Sequence, residues 1–177
     1  MHDLTDDQLV ARANDGDAEA FTALYERYRV WVWQLAWRHT MQRERAEDVT
    51  QEAFLWLLRK FPGFHLEASM KSVLYPVTVH LARDVRTRER RRQTEPLPVE
   101  ASGIDSRAGS SRADLQRALA MLPEGQREAV LLRFVDELSL DEIARCLDIP
   151  PGTVKSRLHH ALAALRADES VRKFFIE

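Results

Sequence analysis

Apolar residues recur at helical spacing along almost the whole chain, and no run alternates with the two-residue period of a half-buried strand. Phe21, Leu24, Tyr25, Tyr28, Val32 and Leu35 fall on one stripe. Ala46, Val49, Ala53 and Leu57 form a second, and Met70, Val73, Leu74, Val77, Leu81 and Val85 a third. Gly and Pro, the residues that interrupt helices, number only 6 and 7 in 177 positions. An all-α fold is therefore predicted. Thr5, followed by Asp6 and Asp7, predicts a capped opening helix whose acids complement the helix dipole. Pro76 lies inside the third stripe, where it removes a helical donor and predicts a kink unless the helix starts close by.

One stretch breaks the pattern. Residues 94–111 hold two Pro, two Gly and four Ser without an apolar period, which is the composition of a flexible linker. It separates two small helical domains, residues 1–93 and 112–177. In the second, Leu115, Ala118, Leu119 and Leu122 mark a helix that Pro123 stops, and Ala129, Val130, Leu131 and Phe134 mark the next. Ser139 with Glu142 three residues later is a capping box, opening a short helix with Leu140, Ile143, Ala144 and Leu147 inward. The turn Asp148-Ile149-Pro150-Pro151-Gly152 leads into a last helix from about Thr153 to Arg166.

A short helix, a tight turn and a second amphipathic helix make a helix-turn-helix pattern. Ala144 is small enough for close helix approach, and Val154 can fill the space between the helices. Leu158, Ala161, Leu162 and Leu165 continue its stripe. At about 100° per residue the opposite face carries Ser156, His159, His160 and Ala163, flanked by Lys155 and Arg157. Small polar groups suited to base edges, bordered by cations suited to phosphates, fit duplex DNA. Helix pairs of this kind also serve packing alone. Asp148 stands where many such turns have Gly. Adjacent histidines diverge by about 100° and have no neighbouring Cys or His, so no metal site is read there. Cys146 falls on the buried side of its helix as a small core residue.

Charge distribution points the same way. The net charge is −2, yet residues 83–92 hold six Arg against two acids, and residues 151–166 hold Lys155, Arg157 and Arg166 with no acid. DNA binding needs local positive potential rather than a high overall pI. With Val77 taken as inward, Tyr75, Val79, Arg83, Arg86 and Arg90 face outward, an aromatic and three cations that fit a single-stranded track. The plainer reading is a solvated helix end whose arginines suit the C-terminal dipole. The helix from Arg45 to Lys60 turns Asp48, Gln51, Glu52 and Leu55 outward, and an exposed Leu beside acids suits either a protein partner or a solvated face. Trp33 and Trp37 point away from their main stripe, towards another helix or a partner.

Other classes have little support. No apolar run approaches the roughly 20 residues of a membrane span. The acidic start Met1-His2-Asp3-Leu4 does not read as a secretory signal. A single cysteine excludes an internal disulfide framework and a multi-cysteine zinc site, so the reducing cytoplasm is the expected compartment. No paired carboxylates, Gly-rich phosphate loop or nucleophile–base arrangement stands out, so neither an enzyme nor a cofactor is expected.

Taken together, these residues resemble a bacterial RNA polymerase sigma factor of the extracytoplasmic-function (ECF) type, over nearly the whole chain. Gly16-Asp17 with Ala20-Phe21 and Leu24-Tyr25 resembles the start of sigma region 2, and Ala46-Glu47-Asp48-Val49-Thr50-Gln51-Glu52-Ala53-Phe54 its polymerase-binding helix. Leu122-Pro123-Glu124 with Gln126-Arg127-Glu128, and Gly152-Thr153-Val154-Lys155-Ser156-Arg157-Leu158, are similar to region 4. The resemblance implies a non-catalytic specificity subunit whose partners are core RNA polymerase, through its β′ and β subunits, and promoter DNA, duplex and single-stranded. An anti-sigma factor is a common further partner in that family. Asp48, Gln51, Glu52 and Leu55 would contact a β′ coiled coil. Residues 70–92 would meet the melted minus-ten element, and the loop from Pro62 to Ser69 would hold a flipped base, with Phe64 and His80 near that pocket. Lys155, Ser156, His159 and His160 would read the minus-thirty-five element, while Thr153 and Arg157 position the DNA backbone. Val73 stands where the family usually has Trp, and His80 where it has Asn. The competing reading is a stand-alone helix-turn-helix regulator at an operator, which leaves the N-terminal faces unused.

Overall fold

In a computed structural model, residues 3–92, 110–168 and 171 are described, with only the backbone described for residues 89–92 and 110–113. The described residues form eight helices and no strand. The chain divides into two compact units, Met1–Leu97 and Pro98–Glu177. Residues 94–109 of the predicted linker lie outside the described residues, while Ser110 and Ser111 open a helix.

The first unit contains α1 (Asp6–Asn14), α2 (Ala18–Thr40), α3 (Arg43–Leu58) and α4 (Met70–Arg92). Local chemistry sets their boundaries. Thr5 accepts a hydrogen bond from the Gln8 amide at 3.3 Å, and the Gln8 side chain accepts from Thr5 N at 2.9 Å, a reciprocal box that satisfies two end donors. Gly16 takes φ +89, a left-handed conformation that glycine adopts freely. That turn delivers Asp17 as the N-cap of α2, accepting from Glu19 N at 3.0 Å and Ala20 N at 3.2 Å. Core side chains Leu9, Leu24, Val32, Leu57, Met70 and Leu74 join the four helices and are fully buried. Each such apolar side chain contributes roughly 1.5–3 kcal/mol of burial free energy. Trp33 and Trp37 stack at 5.6 Å and pack on a second cluster around Ala36, Ala46, Val49 and Ala82, so they serve the bundle.

Helix α4 runs unbroken through Pro76. Pro76 sits on the exposed side, where water can satisfy the carbonyl that loses its partner.

The second unit contains α5 (Ser110–Met121), α6 (Glu124–Phe134), α7 (Leu140–Leu147) and α8 (Pro151–Ala167). Helix α8 packs on both α6 and α7. Val154, Leu158, Ala161 and Leu165 of α8 are buried with Ile143, Ala144 and Cys146 of α7 and Ala129, Val130 and Leu132 of α6. Phe134, expected among the apolar markers of α6, is 58 % exposed at the helix end. Ser139 and Glu142 form the predicted box, Ser139 N donating to the Glu142 carboxylate at 2.9 Å. Asp148 adopts φ 51, ψ 52, the conformation that glycine supplies in related turns. Its amide donates to Arg145 O at 3.3 Å, and the Ile149 amide reaches Ala144 O at 3.0 Å, which closes the end of α7 as a Schellman motif. Asp tolerates this region better than most residues, so the turn survives without Gly.

Candidate functional site

Three surfaces carry the predicted residues. The first is the outer face of α3. Ala46, Val49, Ala53 and Leu57 turn into the core, which directs Asp48, Gln51, Glu52 and Leu55 to solvent. Leu55 is 42 % exposed. Asp48 and Glu52 make no hydrogen bond or ion pair among the described residues, whereas neighbouring Glu47 is tied to Arg43 at 3.0 Å. Asp48, Gln51 and Glu52 also line a groove whose far wall is α4, from Leu81, Asp84, Val85 and Arg88. That far wall escapes sequence reading because nothing in the spacing says which face of α4 lies beside α3.

The second surface joins the 59–69 loop to α4, and here one expectation is corrected. Tyr75 is only 4 % exposed and Val79 6 %, so neither belongs to an outward track. The reason is that α4 packs against both α2 and α3. A helix clasped on two sides buries a wide arc: Leu74, Thr78 and Ala82 on one flank, Tyr75 and Val79 on the other. Val77, the assumed inward marker, is only half-buried. The stripe emerges further along, where His80, Arg83 and Arg86 are exposed; the side chain of Arg90 lies outside the described residues. His80 Nε2 stands 3.5 Å from the Asp84 carboxylate.

Phe64 is half-buried, its ring 5.4 Å from that of Phe61, which in turn meets Phe21 edge-on at 5.8 Å. The Phe61–Pro62 peptide is cis. Three hydrogen bonds hold the loop from α1. The Asn14 side-chain oxygen accepts from Gly63 N at 2.7 Å and Phe64 N at 3.0 Å, and its amide donates to Phe64 O at 2.8 Å. No sequence signal marks Asn14, since its partners lie about fifty positions away.

The third surface is α8. Lys155, Ser156, His159 and His160 are exposed opposite the buried stripe, and the two imidazole rings lie 5.6 Å apart. Thr153 and Arg157 are half-buried. The Arg157 guanidinium lies against Gly125 of α6, so close that a Cβ there would come within 2.9 Å of it. Arg157 thereby belongs as much to the α6–α8 joint as to the outer face. Among the described residues no group of three or more His, Cys, Asp or Glu could hold a metal. No described helix is long and apolar enough to cross a membrane. Elsewhere on the first unit, the hydrogen bond from Arg29 to Glu26, and then the charge of Glu26, raise the Arg29 pKa, which leaves that residue cationic.

The first unit is a four-helix unit with an acidic face on α3, and the second a helix-turn-helix unit with a basic and polar face on α8, the kind of helix pair that reads duplex DNA. Residues 24–92 match the family model for Sigma-70 region 2, and residues 112–165 that for Sigma-70, region 4. The ECF RNA polymerase sigma factor SigW of Bacillus subtilis (strain 168) is 30 % identical over 178 aligned positions, covering 89 % of this chain and 92 % of that protein. The ECF RNA polymerase sigma-E factor of Escherichia coli (strain K12) is 32 % identical, covering 92 % and 93 %. Among solved structures, CnrH in complex with the cytosolic domain of CnrY is similar in fold, with a TM-score of 0.68 at 24 % identity over 92 % of this chain and 95 % of that one. RpoE of Bartonella quintana in complex with the anti-sigma factor NepR gives a TM-score of 0.59 at 21 % identity over 84 % and 96 %. The chain belongs to the ECF family of RNA polymerase sigma factors.

Proposed function

We propose that the chain acts as a dissociable, non-catalytic specificity subunit in the cytoplasm, with residues 1–93 as region 2, 94–111 as a tether and 112–177 as region 4. The outer face of α3, with Asp48, Gln51, Glu52 and Leu55, docks on a coiled coil of the polymerase β′ subunit. The 62–69 loop with Phe64, and His80, Arg83, Arg86 and Arg90 of α4, take the unpaired bases and phosphates of the minus-ten element. Binding energy gained only from unstacked bases then favours promoter opening. Lys155, Ser156, His159 and His160 read the minus-thirty-five duplex, and Thr153 with Arg157 set the register on its backbone. A tether between two weakly binding units raises the effective concentration of the second once the first is engaged. No cofactor is required by this scheme. An anti-sigma protein that covers the α3 face or the α8 face would hold such a subunit inactive.

The observation that carries the reading is the exposed Asp48–Glu52 face, without an ion-pair partner among the described residues, on a helix whose other side is committed to the core. Run-off transcription with core polymerase on a pool of genomic promoters tests it. Specific initiation that depends on the added chain is expected. Operator binding without any gain in initiation would instead support the stand-alone regulator.

A further inference from the structure

We propose that Asn14 is a positioning residue for minus-ten base capture, holding Gly63 and Phe64 in a receiving conformation before DNA arrives. This rests on the assignment of the 62–69 loop to the minus-ten element made above. Three observations carry it. Asn14 ends α1, which is anchored by the buried side chains Leu9, Val10 and Ala13, so the amide projects from a fixed support. Two successive loop amides converge on its one oxygen at 2.7 and 3.0 Å, while its nitrogen donates back to the Phe64 carbonyl at 2.8 Å. Gly63 itself sits at φ +96, a conformation that glycine adopts freely and other residues only under strain.

The chemistry singles out Asn. Two N–H donors require an acceptor, and one carbonyl requires a donor, and a carboxamide of this length offers both. Aspartate keeps the acceptor but turns a second oxygen towards the Phe64 carbonyl. Alanine loses all three bonds. Pro62, His65 and Glu67 are exposed beside the clamp, so ordering the backbone also fixes where these side chains leave the loop. A loop already ordered spares a base that enters it the entropy of ordering the backbone, a saving that a base left outside the loop does not receive. The clamp therefore acts on discrimination at one promoter position rather than on overall affinity.

The test uses the full chain with Asn14→Ala and Asn14→Asp, and Phe64→Ala as a reporter of the loop itself. Hydrogen exchange of the Gly63 and Phe64 amides is measured in the free protein. Initiation with core polymerase is then measured on promoters varied one base at a time. With Asn14→Ala, protection of the two amides falls about tenfold, as expected for lost hydrogen bonds, and the preference ratio at a single minus-ten position flattens by a similar factor. Asn14→Asp lies between, and preferences within the minus-thirty-five element stay as in the wild type, which a general loss of folding would not allow. Amides that stay protected in Asn14→Ala overturn the clamp. So does an unchanged base profile once protection is lost, provided that Phe64→Ala alters the profile. If Phe64→Ala leaves it unaltered as well, the loop does not meet the minus-ten element, and the assignment of the loop falls together with this proposal.

Discussion

Helices α4 and α8 both present basic residues to solvent, yet they are built differently. Helix α8 also meets two helices, α6 and α7, but through one continuous stripe, Val154, Leu158, Ala161 and Leu165, and Lys155, Ser156, His159 and His160 opposite it are exposed. Helix α4 lies against α2 and α3 together, and its first half is buried on two flanks. From His80 onward its stripe of His80, Arg83 and Arg86 reaches solvent. A face inferred from one apolar marker is thus reliable where a helix buries one narrow stripe, and it fails where the buried arc is wide.

The largest test of that contrast is Tyr75→Ala. As a core residue it should cost about 3–5 kcal/mol of stability in the first unit, read by denaturant unfolding; a loss of promoter opening at full stability would put Tyr75 back on the DNA track. Asp48→Arg comes next. Reversing an exposed charge on the proposed docking face should weaken core-polymerase binding on the order of tenfold or more, while duplex binding by the α8 face is unaffected. On α8, Lys155→Ala and His159→Ala should each change base preference within the minus-thirty-five element, by about 1–3 kcal/mol at the affected position, measured by duplex binding to sites varied one base at a time. Ser139→Ala removes the cap of α7 and should cost about 1 kcal/mol of second-unit stability. The smallest effect belongs to His80→Ala, within about 0.5 kcal/mol in stability because the side chain is exposed, with any functional change confined to the minus-ten element.

Much of this was legible in the sequence because its physics is local. The boxes at Thr5–Gln8 and Ser139–Glu142 follow from residues three apart, and the free faces of α3 and α8 follow from one clean apolar period each. What escaped was non-local. Asn14 meets Gly63 and Phe64 only because α1 and the loop converge in space. Arg157 rests on Gly125 for the same reason, and the absence of a side chain at residue 125 looks unremarkable in isolation. Asp148 was a different case: its identity argued against the turn, yet a short polar residue can occupy the left-handed region when the backbone bonds around it close the helix end.

The seating of Arg157 against Gly125 separates two jobs on a single helix. Residues that lock α8 to its scaffold are Val154, Arg157, Leu158 and Ala161; those proposed to meet the groove, Lys155, Ser156, His159 and His160, are exposed on the other side. On that proposal a lineage could exchange members of the second set, and so drift to a new regulon, without loosening the packing that holds α8 on α6 and α7.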